Sequence, residues 1–148
     1  MSVKVFIDGS SGTTGLRIAD RLAAMKMESV QPYELLTALP EASKQQFYRM
    51  AKFDYARFAG LFDLSPKKNL IIIGTSHSSA ASEQQQAAYV ERIIQQYGSD
   101  YDIFFKPHPA DSSSAGYPDR FEGLTLLPGQ MPFEIFVWAL LDKIDMIG

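Results

Sequence analysis

The chain has 148 residues, of which 46% are hydrophobic and 21% are charged, and its formal net charge is −3. This size is typical of one soluble domain, since most domains have roughly 100–150 residues. The absence of cysteine excludes a disulfide scaffold, a thiolate metal site and a cysteine nucleophile. The slight excess of acidic residues predicts no nucleic-acid surface, and no apolar run approaches the ~18 residues that span a bilayer. We expect a cytoplasmic protein with one domain over residues 1–148, no metal and no membrane span.

Strand and helix patterns alternate along the chain. Short apolar runs predict five strands, at residues 3–7, 69–74, 102–106, 124–127 and 144–147. Apolar residues at helical spacing predict helices at about 13–27, 41–63, 82–97 and 132–141. In the third helix, Ser82 is the predicted N-cap and Gly98 the predicted C′ residue. The alternation predicts a three-layer, Rossmann-like α/β domain whose mainly parallel sheet includes the N-terminal strand.

A glycine-rich loop follows the first strand, with Gly9, Gly12 and Gly15 in the spacing G-x-x-G-x-x-G. Glycines at such a turn let the backbone approach a phosphate, and the following helix directs N–H groups toward it. The spacing differs from the G-x-G-x-x-G of dinucleotide-binding folds, so a phosphate site and a plain turn both stay open. Asp8, just before this loop, is either a catalytic carboxylate or ordinary Asp-Gly turn chemistry.

Lys106-Pro107-His108-Pro109 ends another predicted strand, and ligands of open α/β sheets bind beyond the carboxyl ends of strands. A lysine there suits an anionic phosphate, and a histidine can donate a hydrogen bond or a proton near neutral pH. The alternative is a rigid exposed loop. Glu134, in the first turn of the last helix, either complements the helix dipole or contacts a ligand. His77 is either a ligand contact or a solvated loop histidine.

Four motifs follow one another in the second half of the chain: Gly74-Thr75-Ser76, Lys106-Pro107-His108-Pro109, Pro128-Gly129-Gln130-Met131-Pro132-Phe133-Glu134 and Asp145-Met146-Ile147-Gly148. Through them, residues from about 68 to 148 resemble the nucleotide-binding domain of bacterial sialyltransferases with the two-domain GT-B fold. The resemblance implies a CMP-sialic acid donor. It implies that His108 faces the phosphate and helps CMP to leave. The residues that it places around the nucleotide are Gly74, Thr75, Ser76, Lys106, Pro109 and Glu134.

The chain departs from that family in two places. The family has a pair of serines just beyond the point that matches Gly148, and it has a whole N-terminal domain that binds the acceptor and supplies an aspartate base. The residues before Lys68 are too few to build such a domain. The expectation is therefore a nucleotide-binding domain that is catalytically incomplete.

The N-terminal segment carries a second resemblance. Residues 6–16 read Phe-Ile-Asp-Gly-Ser-Ser-Gly-Thr-Thr-Gly-Leu. Residues from about 1 to 25, with a weaker extension to residue 43, are similar to the NADP-binding loop of N-acetyl-γ-glutamyl-phosphate reductases. The contacts to NADP that this implies are Gly9, Gly12, Thr13, Thr14 and Gly15. Those reductases use a cysteine thiolate, which this chain lacks, so their chemistry does not follow. Asp8-Gly9-Ser10 also resembles the segment around the sialyltransferase catalytic aspartate, which implies that Asp8 deprotonates the acceptor hydroxyl.

Three functional hypotheses follow from these patterns. The first is a sialyltransferase-type domain that binds a nucleotide or nucleotide-sugar and requires no other cofactor. The second is an NADP-binding fragment of reductase type, and the third is an engineered or recombined α/β chimera with a stable fold and no activity. Turnover is not expected under any of them. A strand near the terminus can leave a sheet edge through which two copies of the chain pair.

Overall fold

The structure is a computed structural model that describes residues 4–6, 28–30, 32–77 and 79–148. Its contacts group the chain into two compact units, Met1–Lys52 and Phe53–Gly148. A single domain over residues 1–148 stays a prediction. The predicted helix at 13–27, the glycine-rich loop and Asp8 lie outside the described residues. Within the described ranges, no helix combines the length and the apolar character needed to cross a membrane.

The first unit contains a small parallel sheet. Strand β1 (Lys4–Phe6) pairs in parallel with β2 (Glu28–Val30), and these two strands form a sheet of their own. The prediction that β1 joins the larger sheet is therefore wrong, and β2 was not among the predicted strands. Two helices follow in this unit, α1 (Pro32–Thr37) and α2 (Glu41–Met50).

The single helix predicted over residues 41–63 is two helices, α2 and α3 (Tyr55–Phe62). Between them Lys52 has a positive φ of 53°, a conformation that a continuing α-helix does not allow. Asp54 then caps α3, because its carboxylate accepts a hydrogen bond from the Arg57 N–H at 3.0 Å. Such an N-cap bond satisfies one of the free N–H groups of the first helical turn.

The second unit is an α/β sandwich built on a parallel four-stranded sheet in the order β5-β4-β3-β6. The strands are β3 (Lys68–Ile73), β4 (Tyr101–Lys106), β5 (Leu124–Leu126) and β6 (Met146–Ile147). The helices after α3 are α4 (Ala80–Tyr97), the short α5 (Tyr117–Arg120) and α6 (Phe133–Leu140). Single turns of 3₁₀-helix lie at Ser113–Gly116 and Leu141–Lys143. The predicted α/β class with a parallel sheet is confirmed, with four strands in this sheet rather than five.

Both faces of the sheet are covered by helices, which explains why residues 70–72 of β3 and residues 103–105 of β4 are buried and apolar without interruption. On one face, Leu70 and Phe105 belong to a buried cluster that also contains Val90 of α4. On the other face, the ring of Phe104 is stacked on that of Phe62 from α3, with centroids 4.2 Å apart. A helix layer on each side of the sheet gives the three layers that the sequence predicts.

Helix α4 begins earlier than the sequence predicts. Ser79, not Ser82, is its N-cap, and the Ser79 Oγ accepts a hydrogen bond from the Ser82 N–H at 3.3 Å. Ser82 completes the reciprocal capping box, since its hydroxyl bonds to the Ser79 backbone. At the other end Gly98 is the C-cap with φ −63°, a right-handed conformation and not the left-handed one typical of a C′ glycine.

Gly74 sits where β3 passes close to β4. Its N–H donates to the Lys106 carbonyl at 2.8 Å, and a Cβ at this position would lie 2.6 Å from Cζ of the buried Phe105 ring. We expect Gly74→Ala to lower the free energy of unfolding by about 1–3 kcal/mol, as other overpacked sites do. Urea unfolding measures the loss.

Gly60→Ala is the matched control for that substitution. No heavy atom lies within 4 Å of the Cβ added there, and alanine is a better helix former than glycine. We expect Gly60→Ala to leave the stability unchanged or to raise it by up to about 1 kcal/mol. Equal stabilities for the two variants would contradict the close approach at Gly74.

Candidate functional site

Three loops meet at the carboxyl edge of the four-stranded sheet, because β3, β4 and β5 run parallel and end there. We call them the β3 loop (residues 74–77), the β4 loop (residues 107–112) and the β5 loop (residues 127–132). Parallel sheets bind ligands at this edge. The three loops contain most of the residues that the sialyltransferase resemblance singles out.

A cleft of about 340 Å³, which we call the loop cleft, lies between these loops and the start of α6. Of the predicted site residues, the structure brings together Gly74, Lys106, His108, Pro109 and Glu134. The remaining lining residues are Ile73, Pro107, Gln130, Met131, Pro132 and Phe133. Thr75 and Ser76 are exposed in the β3 loop and are not among the lining residues.

Lys106 differs from an ordinary lysine because its side chain is buried, with 3% of the residue exposed. Its Nζ donates to the Pro107 carbonyl at 2.7 Å and to the Gly129 carbonyl at 2.9 Å. Burial lowers the pKa of Lys106, and the charge of Glu134 acts in the opposite direction. The ammonium group therefore ties the β4 loop to the β5 loop. A bond to a ligand would use the third N–H of the group.

His108 is exposed, and its ring is oriented by its own loop. The Nδ1 atom accepts a hydrogen bond from the Ala110 N–H at 3.1 Å. Because Nδ1 is the acceptor, a neutral ring in this arrangement carries its proton on Nε2. The imidazole can thus donate from Nε2 to a negatively charged ligand.

Glu134 lies in the first turn of α6, where acidic side chains complement the helix dipole. Its carboxylate is exposed at the loop cleft, so it can accept hydrogen bonds from ligand hydroxyl groups. The cleft thus combines a carboxylate acceptor with the Nε2 donor of His108. Both come from short segments that the sequence motifs mark.

A second polar cluster, centred on Asp111, was not predicted from the sequence. The side chain of Asp111 is 1% exposed, and its Oδ1 accepts from the Ser113 N–H at 2.9 Å and the Ser113 Oγ at 2.7 Å. Burial raises the pKa of Asp111, but hydrogen bonds from Ser113, Ser114 and Gln86 outweigh burial, and the pKa lies below its ordinary value. Asp111 is therefore a buried anion. The turn pattern Asp-x-Ser is the sequence signal that could have revealed it.

His77 faces this carboxylate. Its side chain is 10% exposed, and its Nε2 lies 3.7 Å from Oδ2 of Asp111. The interpretation of His77 as a solvated loop histidine is therefore wrong. His77 and Asp111 line a separate cleft of about 320 Å³ together with Ser79 and Glu83.

The other predicted site residues lie outside the described residues. They are Asp8, Gly9, Gly12, Thr13, Thr14 and Gly15. In the part of the chain that the structure does describe, no group of three or more His, Cys, Asp or Glu side chains could hold a metal ion.

No protein-family model and no curated protein sequence matches this chain. Several solved structures are similar to this chain. An α/β-galactoside α-2,3-sialyltransferase from the luminous marine bacterium Photobacterium phosphoreum has a TM-score of 0.67 and 23% identity, over 93% of this chain and 38% of that one. A sialyltransferase from Photobacterium damsela has a TM-score of 0.66 and 23% identity, over 90% of this chain and 30% of that one.

A third similar structure is a 2,6-sialyltransferase from a Photobacterium species of the Vibrionaceae, solved with the donor product CMP and the acceptor substrate lactose. Its TM-score is 0.62 at 15% identity, over 92% of this chain and 33% of that one. This chain thus spans about a third of the length of these enzymes. At such identities the similarity establishes a shared fold, and the resemblance to bacterial GT-B sialyltransferases is confirmed at that level.

Proposed function

We propose that this chain binds a cytidine nucleotide of the CMP type in the loop cleft, as the donor-nucleotide part of a glycosyltransferase fold. One observation carries the proposal. Lys106, His108 and Glu134, which the sequence motifs single out at distant positions, line a single cleft at the ligand-binding edge of the parallel sheet. A structure with the same fold was solved with CMP.

The chemistry of the cleft suits the three parts of such a nucleotide. Pro107, Pro109 and Met131 provide apolar surface against which a planar base can pack. The exposed carboxylate of Glu134 can accept hydrogen bonds from the two ribose hydroxyls. The Nε2–H of His108 can donate to the phosphate, in a charge-assisted bond that is stronger than a neutral one.

The charge of the cleft favours a monophosphate over a triphosphate. Among the lining residues the basic side chains are Lys106 and His108, and the Lys106 ammonium already bonds to two carbonyls. One phosphate group can be matched by the donors that remain. Three phosphate groups would need more cationic side chains than the lining supplies.

A sialic acid attached to CMP belongs to the same proposal, through the resemblance to sialyltransferases. In sugar transfer, the acceptor oxygen forms a bond to the anomeric carbon of the sialic acid, and the bond between that carbon and the phosphate oxygen breaks. The proton of the acceptor hydroxyl passes to a carboxylate base. A hydrogen bond from His108 would stabilise the negative charge that develops on the departing CMP phosphate.

Two substitutions in the cleft test the proposal. We expect His108→Ala to weaken CMP binding about tenfold or more, because a hydrogen bond to a charged group contributes roughly 1.5–3 kcal/mol. We expect a similar loss for Glu134→Gln, which removes the charge but keeps the shape. Isothermal titration calorimetry with CMP measures both.

Glu122→Gln is the matched control for Glu134→Gln, since Glu122 is also exposed but does not line the loop cleft. We expect it to bind CMP as the unaltered protein does. If CMP bound with the same affinity to His108→Ala, Glu134→Gln and the control, the nucleotide would lie elsewhere and the proposal would be wrong.

A further inference from the structure

The side chain of Gln86 lies between the β3 loop and the β4 loop. Gln86 belongs to α4 and is half-buried. Its Oε1 accepts a hydrogen bond from the Thr75 N–H at 2.9 Å, and its Nε2 lies 3.3 Å from both Oδ2 of Asp111 and Oη of Tyr117. One amide group thus bonds to two loops and to the start of α5.

These hydrogen bonds continue to the residue that faces the proposed ligand. The Asp111 N–H donates to the His108 carbonyl at 2.9 Å, so Asp111 holds the segment that carries the His108 ring. A continuous path of hydrogen bonds therefore runs from the Thr75 amide through Gln86 and Asp111 to His108. We call this path the Gln86 bridge.

We propose that Gln86 is a positioning residue, which holds the β3 loop and the His108 segment in the arrangement that the loop cleft needs to bind its nucleotide. The inference rests on the proposed function. A site whose groups are already fixed binds more tightly, because less conformational freedom is lost when the ligand arrives.

The chemistry of the bridge requires an amide at this position. Thr75 needs an acceptor, whereas the anionic Asp111 needs a donor, and glutamine offers both on one side chain. A glutamate would place a second carboxylate against Asp111. A leucine would leave the Thr75 N–H without its acceptor and would remove a hydrogen-bond donor from the buried Asp111 carboxylate.

The chain itself offers a matched control, because Gln85 is the preceding residue of the same helix and its side chain is exposed. The experiment compares Gln86→Leu with Gln85→Leu in three measurements: the exchange rate of the Thr75 amide hydrogen by NMR, the dissociation constant for CMP by calorimetry, and the melting temperature. Gln86→Glu is a second variant, which keeps the acceptor for Thr75 and loses the donor to Asp111.

For Gln86→Leu we expect at least a tenfold faster exchange of the Thr75 amide and about a tenfold weaker binding of CMP. Gln85→Leu should match the unaltered protein in both measurements. Gln86→Glu should leave the Thr75 amide protected and still weaken CMP binding. This variant keeps the inference testable if Gln86→Leu fails to fold.

Two results would overturn the inference. If amide exchange were the same in Gln86→Leu and Gln85→Leu, the bridge would be absent. If exchange rose, or the melting temperature fell, while both Gln86 variants kept full CMP affinity, Gln86 would have a structural role only. Failure of the unaltered protein to bind CMP would instead contradict the proposed function, and Thr75 exchange would still test the bridge.

Discussion

Lys106→Met is expected to lower the free energy of unfolding by about 2–4 kcal/mol and to weaken CMP binding at least tenfold. Methionine has a similar apolar stem, so the packing of the side chain changes little. The carbonyls of Pro107 and Gly129 lose their shared donor, and an unsatisfied buried group costs about 1–3 kcal/mol. The β4 and β5 loops would then separate and the cleft between them would lose its shape. Urea unfolding and calorimetry with CMP measure the two effects.

Lys67→Met is the control for this substitution. Lys67 also donates to a backbone carbonyl, that of Gly98 at 2.7 Å, but it is exposed and water can replace the bond. We expect no resolvable change in stability or in CMP affinity. Equal behaviour of the two methionine variants would show that the buried ammonium of Lys106 does not hold the loops together.

Phe104→Ala is expected to lower the free energy of unfolding by about 3–5 kcal/mol, the range of large-to-small changes at buried aromatic residues. Phe104 is 2% exposed, and its ring lies nearly parallel to that of Phe62, with an interplanar angle of 5°. Its removal leaves a cavity between β4 and α3 and exposes one face of the Phe62 ring to that cavity. Domains of this size are stable by about 5–15 kcal/mol, so the loss is measurable by urea unfolding.

Leu64→Ala provides the comparison for the loss at Phe104. Leu64 is 74% exposed, and we expect its truncation to change the stability by no more than about 0.5 kcal/mol. A loss below about 1 kcal/mol for Phe104→Ala would mean that the ring is not packed between sheet and helix as described.

The sheet of the second unit could be predicted from the sequence because its central strands carry an unambiguous signal. Ile71 of β3 lies opposite Phe104 of β4 and Ile147 of β6, and helices cover both faces. A strand that is covered on both faces has apolar side chains at successive positions, and this gives a continuous apolar run in the sequence. The parallel order follows, because helices connect successive strands.

The errors occur where local sequence carries little information. Glu28-Ser29-Val30 is too short and too polar to be recognised as a strand, and its strand form depends on pairing with β1. The break between α2 and α3 contains neither proline nor glycine. The left-handed conformation of Lys52 interrupts an otherwise continuous helical pattern there. The strand at residues 28–30 and the break at Lys52 both depend on tertiary contacts, and a short stretch of sequence gives no information about such contacts.

At the candidate site, too, the sequence predicts some features, and others depend on tertiary contacts. The motifs single out Lys106 and His108 at the end of β4 and Glu134 in the first turn of α6, and all three line the loop cleft. They could not show that the Lys106 ammonium turns toward Gly129, a residue distant in the sequence. Gln86 was missed for a similar reason, since a run of three glutamines in a helix gives no sign of which one faces a loop.

The measurement that tests the central claim most directly is a thermal-shift titration of the unaltered protein with CMP and with NADP in parallel. At a CMP concentration ten times the dissociation constant, binding adds roughly 1.4 kcal/mol of stability, which corresponds to roughly 3–6 °C in Tm. We predict that CMP raises the Tm and that His108→Ala removes most of the rise at the same concentration. A rise with NADP alone would move the binding site to the Gly9–Gly15 loop, and no rise with millimolar CMP would contradict the nucleotide site at the loop cleft.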